Sequence, residues 1–231
     1  MLEQLKEEVC RANIELYNSG IVLYTWGNVS GFDTDRGLAV IKPSGVEYES
    51  MKPEDMVVVD VHDGHIVEGN LKSSTDLPTH LELYRSFPSI RSVAHSHSIN
   101  AVAYAQAGRS IPILGTTHAD YSNTDIPCTR RMTQDEVEND YELNTGKVIV
   151  ECMKEKVLSQ DDIPGILVHS HGPFTWGTTP MDAVRNMVIL ETIAEMAIKT
   201  LQLNPDAIID DYLVKKHYDR KHGNDAYYGQ N

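Results

Sequence analysis

The chain has 231 residues, 41% of them hydrophobic and 23% charged, an ordinary balance for one soluble globular domain with a sizeable core. A formal net charge of −14 argues against the basic face that nucleic acid requires and disfavours an anionic membrane surface. MLEQLKEEV is not a signal peptide, no apolar run reaches the ~20 residues of a membrane span, and three scattered cysteines (Cys10, Cys128, Cys152) suit packing in a reducing cytoplasm.

Leu2, Leu5, Val9 and Leu16 recur at helical spacing before Gly20, which predicts an amphipathic helix over 2–19. VLYTWGNVSGFD and GLAVIKPSGVEY read as strands separated by a turn at 33–37, and Asp63-Gly64 lies between two β-branched runs as a hairpin. LPTHLELYRSF reads as a helix stopped by Pro88, SVAHSHS as a strand, INAVAYAQAG as a helix ending at Gly108, and IPILGTTH as a further strand. Thr133 and Glu136 form a capping box for one long helix to about Val157. GILVHS is an apolar strand, Thr179-Pro180 opens a helix through Leu201, and Asn204-Pro205-Asp206 repeats that opening before a last helix. The pattern predicts a single α/β domain over 1–231, with helices covering a largely antiparallel sheet.

His-Ser-His occurs twice, at 95–97 and 169–171. Residues i and i+2 of a strand share a face, so His95 and His97 project together and could bind one divalent cation. A lone histidine at a strand end is ordinarily a hydrogen-bonded polar residue; two on an apolar strand, with a second pair on another strand, favour ligands. Four ligands would close a structural site, whereas three leave a position for substrate. A domain of this size has little need of a metal staple, so the expectation is three histidines and an open position, with Asp76 as a nearby carboxylate. Imidazole suits zinc, and also cobalt, nickel, iron or manganese.

WGNVS (26–30), KPSG (42–45) and KSSTD (72–76) are polar interruptions at the ends of β-like runs. Together they offer a lysine, an amide, hydroxyls and backbone N–H groups, which is the chemistry of an anion nest. Individually each is an ordinary turn or cap. Beside a metal site they suggest a small phosphorylated substrate, and the absence of a Walker A or Gly-x-Gly-x-x-Gly pattern argues against a nucleotide.

TWGNVS, IKPSGV, DLPTHLELY, AHSHS, AQAG, IPILGTTHADY, IPCTR, YELNTGKVIVE, HSHGPFTWG and KHGNDAYYGQ, taken together, resemble the sugar-phosphate epimerases of the class II aldolase/adducin-like family. The likeness runs nearly end to end. It implies a three-layer α/β/α class II aldolase-like fold, and a homotetramer with active sites between neighbouring subunits. It also implies His95, His97 and His171 as metal ligands with Asp76 beside them. The expected ion is Zn²⁺, with Mn²⁺ or Co²⁺ as alternatives. The family's aldolases carry glutamate where this chain and the epimerases carry Asp76. Asn28, Lys42, Ser44, Gly45, Ser74 and Thr75 are the implied phosphate holders, Thr75 replacing the epimerases' usual serine. Asp120 and Tyr228 match the proton-transfer pair supplied by the adjacent subunit, and Thr116, Glu142 and His217 match supporting positions of the pocket.

The implied reaction interconverts L-ribulose 5-phosphate and D-xylulose 5-phosphate. The C4 hydrogen is β to the carbonyl, so its removal would leave a carbanion without resonance. Cleavage of C3–C4 instead sends the electrons into an enediolate that a divalent cation can stabilise, while glycolaldehyde phosphate turns and is added back. Reaction on two faces requires two proton carriers. A metal-dependent aldolase that releases the aldehyde is the alternative reading. A non-catalytic adducin-like module is a third, and the intact histidines argue against it.

Overall fold

The computed structural model describes residues 2–223 and 226–227. Its frame is a seven-stranded sheet in the order β4-β3-β2-β1-β5-β7-β6. The strands are β1 (Gly27–Asp33), β2 (Leu38–Ile41), β3 (Val57–Asp60), β4 (Ile66–Glu68), β5 (Ser92–Ser96), β6 (Gly165–Val168) and β7 (Gly172–Gly177). Every neighbouring pair is antiparallel, so the expected largely antiparallel sheet is wholly so among the described strands. The helices are α1 (Glu3–Asn18), α2 (Leu77–Ser86), α3 (Ile99–Ala107), α4 (Thr116–Ala119), α5 (Gln134–Glu138), α6 (Tyr141–Glu155), α7 (Pro180–Leu203) and α8 (Asp211–His222).

Alternation along the central strands explains the layers. Val29 and Ala94 pack with Ala12 and Leu16 of α1 and with Ala183, Val184 and Met187 of α7. Val93, Phe174 and Trp176 face the opposite way, into a core shared with Leu81, Leu83 and Tyr84 of α2 and with Val148 and Ile149 of α6. β1 is therefore buried on both faces and reads as a nearly continuous apolar or small-residue run. Small size matters at Gly31: a Cβ there would stand 2.8 Å from Leu5 and 3.0 Å from Val9, so glycine lets α1 lie close on the sheet.

Five sequence expectations change. The first strand does not begin at Val22; Leu23 and Trp26 close a tight turn around Tyr24, whose φ is +50°. The second stops at Ile41, because Pro43 has no N–H to donate and Gly45 turns the chain at φ +69°. IPILGTTH contributes only a bridge from Ile111 to Ile126 and then enters α4. The long helix from Thr133 is two helices, since Asp140 at φ +54° breaks it and restarts the backbone at Tyr141. The Thr133 capping box is present at the first of them. Thr179 caps α7 as expected, through a bond from the Asp182 N–H at 3.1 Å. The last helix begins at Asp211 and not at the Asn204-Pro205-Asp206 signal. β7 was not anticipated; two glycines and a proline among the six residues of GPFTWG mask the strand signal of Phe174, Thr175 and Trp176.

Among the described residues no helix is long and apolar enough to cross a membrane. Cys10, Cys128 and Cys152 are all free thiols, the first and last buried. Because Gly31 sits under α1, Gly31→Val should overpack that contact and lower stability by about 1–3 kcal/mol, read as a reduced urea midpoint at unchanged m-value.

Candidate active site

The antiparallel register sets Asn28 of β1 opposite His95 of β5, and His95 opposite Phe174 of β7, all on the face covered by α2 and α6. The Phe174 and His95 rings stack at 4.2 Å. His97 follows the end of β5 and His171 precedes β7, so both extend the same end of the sheet. The rings of His95, His97 and His171 lie 4.8–5.2 Å apart by centroid. Their potential ligand nitrogens all fall within 4.8 Å of one another.

The chemistry of these nitrogens suits a cation. His95 is 1% exposed. Its Nδ1–H donates to the Pro173 carbonyl at 2.9 Å, which leaves a bare Nε2 that is buried and has no hydrogen-bond partner among the described residues. His171 has its Nδ1 occupied by the Tyr141 hydroxyl at 3.2 Å, and its Nε2 remains for the cluster. Burial, reinforced by His95 and His97, pushes the His171 pKa down to about 3, and burial also lowers that of His97. Neutral imidazoles keep the lone pairs that a metal needs. His169 takes no part: Nδ1 pairs with Ser170 Oγ at 2.8 Å and Nε2 accepts from Arg131 at 3.4 Å. Ser170 adopts φ +61°, and the tight turn it forms separates the two histidines of this second motif.

Asp76 stands outside the compact three-nitrogen cluster but beside it. Its carboxylate accepts from Asn28 Nδ2 at 2.6 Å. Burial works to raise the Asp76 pKa, yet His95, His80 and the Asn28 amide together hold it below the usual aspartate value. One helical turn along α2, His80 is fully buried; its Nδ1 meets Ser30 Oγ at 2.7 Å, and that oxygen meets the Tyr84 hydroxyl at 2.6 Å. Burial lowers the His80 pKa to about 3. Neither His80 nor Tyr141 was singled out from sequence. The four-residue spacing from Asp76 to His80 was the available signal for the first; nothing local marked Tyr141.

The polar loops of the expected anion nest do meet. Pro43 bridges to Ser73, the Ser44 N–H donates to the Lys72 carbonyl at 2.9 Å, and the Ser74 N–H donates to the Lys42 carbonyl at 3.0 Å. Ser44, Gly45 and Thr75 are exposed along this junction, while Ser74 is buried. Lys42 is 2% exposed; its ammonium lies 4.7 Å over the Tyr48 ring and donates to the Pro43 carbonyl at 3.2 Å. Burial lowers its pKa to about 8. A charged amine buried against one carbonyl and a ring face is an incomplete arrangement, and an anion at the loop junction would complete it. Asn28 contributes less freely than expected, because its amide nitrogen is engaged by Asp76 while Oδ1 is buried without a partner among the described residues.

Asp120 lies elsewhere. It caps α4 and accepts from Arg220 Nε at 2.9 Å and from His217 Nδ1 at 3.0 Å, both on α8. Burial opposes ionisation, but Arg220 and His217 hold its carboxyl below the usual range. Asp120 lines a cleft of about 720 Å³ with Tyr121, Trp176, Gly177, Lys221 and His222. Trp176 and Gly177 close β7 at the end opposite His171, roughly 20 Å away along the strand. Thr116 opens α4 on the Asp120 side; Glu142 follows Tyr141 on the histidine side, with its carbonyl accepting from Thr79 Oγ1 at 2.5 Å. One chain therefore gathers His95, His97, His171, Asp76, Asn28 and the Lys42 loops, but not Asp120, Thr116 or His217. Tyr228 lies outside the described residues.

Residues 7–198 match the model of the class II aldolase and adducin N-terminal domain. The chain is 54% identical over 230 residues to L-ribulose-5-phosphate 4-epimerase UlaF of Salmonella paratyphi C, covering 99% of this chain and all of that one. The corresponding epimerase of Salmonella typhi is similar to the same degree over the same coverage. Among solved structures, an L-fuculose 1-phosphate aldolase superposes with a TM-score of 0.78 at 21% identity, covering 94% of this chain and 95% of that one. The L-fuculose-1-phosphate aldolase of Thermus thermophilus gives a TM-score of 0.69 at 23% identity, covering 90% and 100%.

The buried ammonium of Lys42 yields a signed expectation. With a folded pKa of about 8 against an unbound 10.5, the unfolded chain holds this proton more tightly. The penalty is present in full below pH 8 and is relieved as pH rises toward 10.5. Lys42→Met should therefore stabilise the protein at pH 7 by about 1–3 kcal/mol, and by progressively less above pH 8, in urea titrations across that range.

Proposed function

Because this chain belongs to the class II aldolase and adducin family, we propose that it is a metal-dependent 4-epimerase interconverting L-ribulose 5-phosphate and D-xylulose 5-phosphate. The observation that carries this reading is 54% identity along the full length to proteins named for that reaction. The three-histidine cluster and the buried Lys42 accord with it. A divalent cation held by His95, His97 and His171, zinc or else manganese or cobalt, would supply Lewis-acid stabilisation of the charge developing on the C2 and C3 oxygens.

The remaining roles belong to the chain. Lys42, Ser44, Gly45, Ser74, Thr75 and Asn28 hold the substrate phosphate, so the aldehyde fragment stays captive while its carbonyl turns. Asp76, ionised and half-buried beside the histidines, orients ligands and substrate oxygens through its second carboxylate oxygen. Asp120 and Tyr228 exchange the C4 hydroxyl proton on the two faces, with Thr116, Glu142 and His217 shaping the pocket. The position of Asp120 at the far end of β7 from His171 supports delivery from a neighbouring subunit, and hence a homotetramer with shared sites. His217 and Arg220 keep the Asp120 carboxylate ionised and aimed. We assign the protein, as one domain, to pentose phosphate metabolism such as arabinose catabolism in the cytoplasm, which suits its free thiols.

The test is an assay on metal-reconstituted protein with L-ribulose 5-phosphate, following D-xylulose 5-phosphate and free glycolaldehyde phosphate together. Xylulose product without stoichiometric aldehyde is expected; aldehyde release without xylulose would make the protein an aldolase. His97→Asn should lose bound metal and roughly 100-fold or more in rate while its circular dichroism is unchanged.

A further inference from the structure

Tyr141 opens α6 with its hydroxyl 3.2 Å from His171 Nδ1 and its ring 6.0 Å from the imidazole, inclined by 28°. Its seat is fixed from three sides. Asp140 precedes it in the left-handed region, Thr145 Oγ1 donates to the Tyr141 carbonyl at 2.9 Å, and Thr79 of α2 holds the next carbonyl. The phenol is therefore brought to the imidazole by backbone placement.

The bond between them can run in two directions, with opposite consequences. If the phenol donates, Nδ1 is bare and the His171 proton sits on Nε2, the atom left for the cluster. If the imidazole donates, Nε2 presents a lone pair. His95 shows which pattern this site uses: its Nδ1–H is committed to Pro173, and its Nε2 is bare and buried. A proton on His171 Nε2 would have that bare nitrogen for a neighbour, yet no hydrogen bond joins His95 Nε2 to any described group. The arrangement fits two parallel tautomers, each with its proton on Nδ1 and each facing an acceptor.

We propose that Tyr141 is a positioning residue that accepts the His171 Nδ1–H and so locks the tautomer whose bare Nε2 faces the cation. Tyr141 does for His171 what the Pro173 carbonyl does for His95. A phenol is a weaker acceptor than a carbonyl, which makes His171 the more easily released of the two ligands. The proposal rests on the three-histidine reading of the site.

The experiment compares full-length wild type, Tyr141→Phe, Tyr141→Gln and His97→Asn after chelator treatment. Zn²⁺ affinity is measured by competition with a chromophoric chelator, and imidazole nitrogen resonances are read on ¹⁵N-histidine protein. We expect Tyr141→Phe to bind Zn²⁺ about 10–100-fold more weakly, and to lose the slowly exchanging Nδ1–H signal of His171. Tyr141→Gln, which retains an acceptor oxygen, should recover part of the affinity. Unchanged affinity in Tyr141→Phe overturns the proposal, as does a wild-type pattern with the proton on His171 Nε2. The wild-type pattern decides the question even if Tyr141→Phe fails to fold. Failure of the wild type to bind Zn²⁺, with His97→Asn indistinguishable from it, would instead remove the metal reading on which the proposal stands.

Discussion

The hydrogen bond from His95 Nδ1 to the Pro173 carbonyl ties the sheet to the candidate chemistry. It joins the end of β5 to the start of β7, two strands distant in sequence and adjacent in the sheet. The same bond commits one imidazole nitrogen and strips the other of partners. A buried bare nitrogen is costly unless something meets it, and the proposed cation at His95, His97 and His171 would do so. The stacking of Phe174 on His95 excludes water from the ring and keeps it in place. The sheet register therefore constrains both the number of converging ligands and their protonation.

A second buried group with few partners extends from the same sheet. Lys42 extends from the end of β2 into a buried position against Tyr48, and Tyr48 in turn donates to the Gly27 carbonyl at 2.6 Å. Its ammonium keeps a depressed pKa because it is buried with no carboxylate in contact among the described residues. Like the histidines, it costs stability in the free protein, and the proposed phosphate would offset that cost. Functional sites commonly break local rules of burial in this way, and the proposed pairing of a cation site with an anion site suits a sugar phosphate.

Asp120 follows a different logic. Its carboxylate is held by Arg220 and His217 of α8, so α4 and α8 form an ion-paired centre away from the histidines. The centre borders a cleft that Trp176 also lines. The two ends of one sheet thus carry complementary halves of the proposed machinery, which accords with sites completed between subunits.

Much was legible in the residues themselves. Helical periodicity and caps determined α1 and the start of α7, β-branched runs determined β2 and β3, and His-x-His determined that two imidazoles share a face, because these follow from local geometry with periods of about 3.6 and 2. Lys-Pro-Ser-Gly and Lys-Ser-Ser-Thr were visible as turns. The resemblance already pointed to His171 beside His95 and His97; only tertiary structure decided that those turns bridge one another, that His169 turns to Arg131, and that Asp120 lies at the far end of β7. It also decided the placement of His80 and Tyr141. These depend on strand order and on which helix covers which face, and pairing between distant segments leaves no mark on the local period of either one.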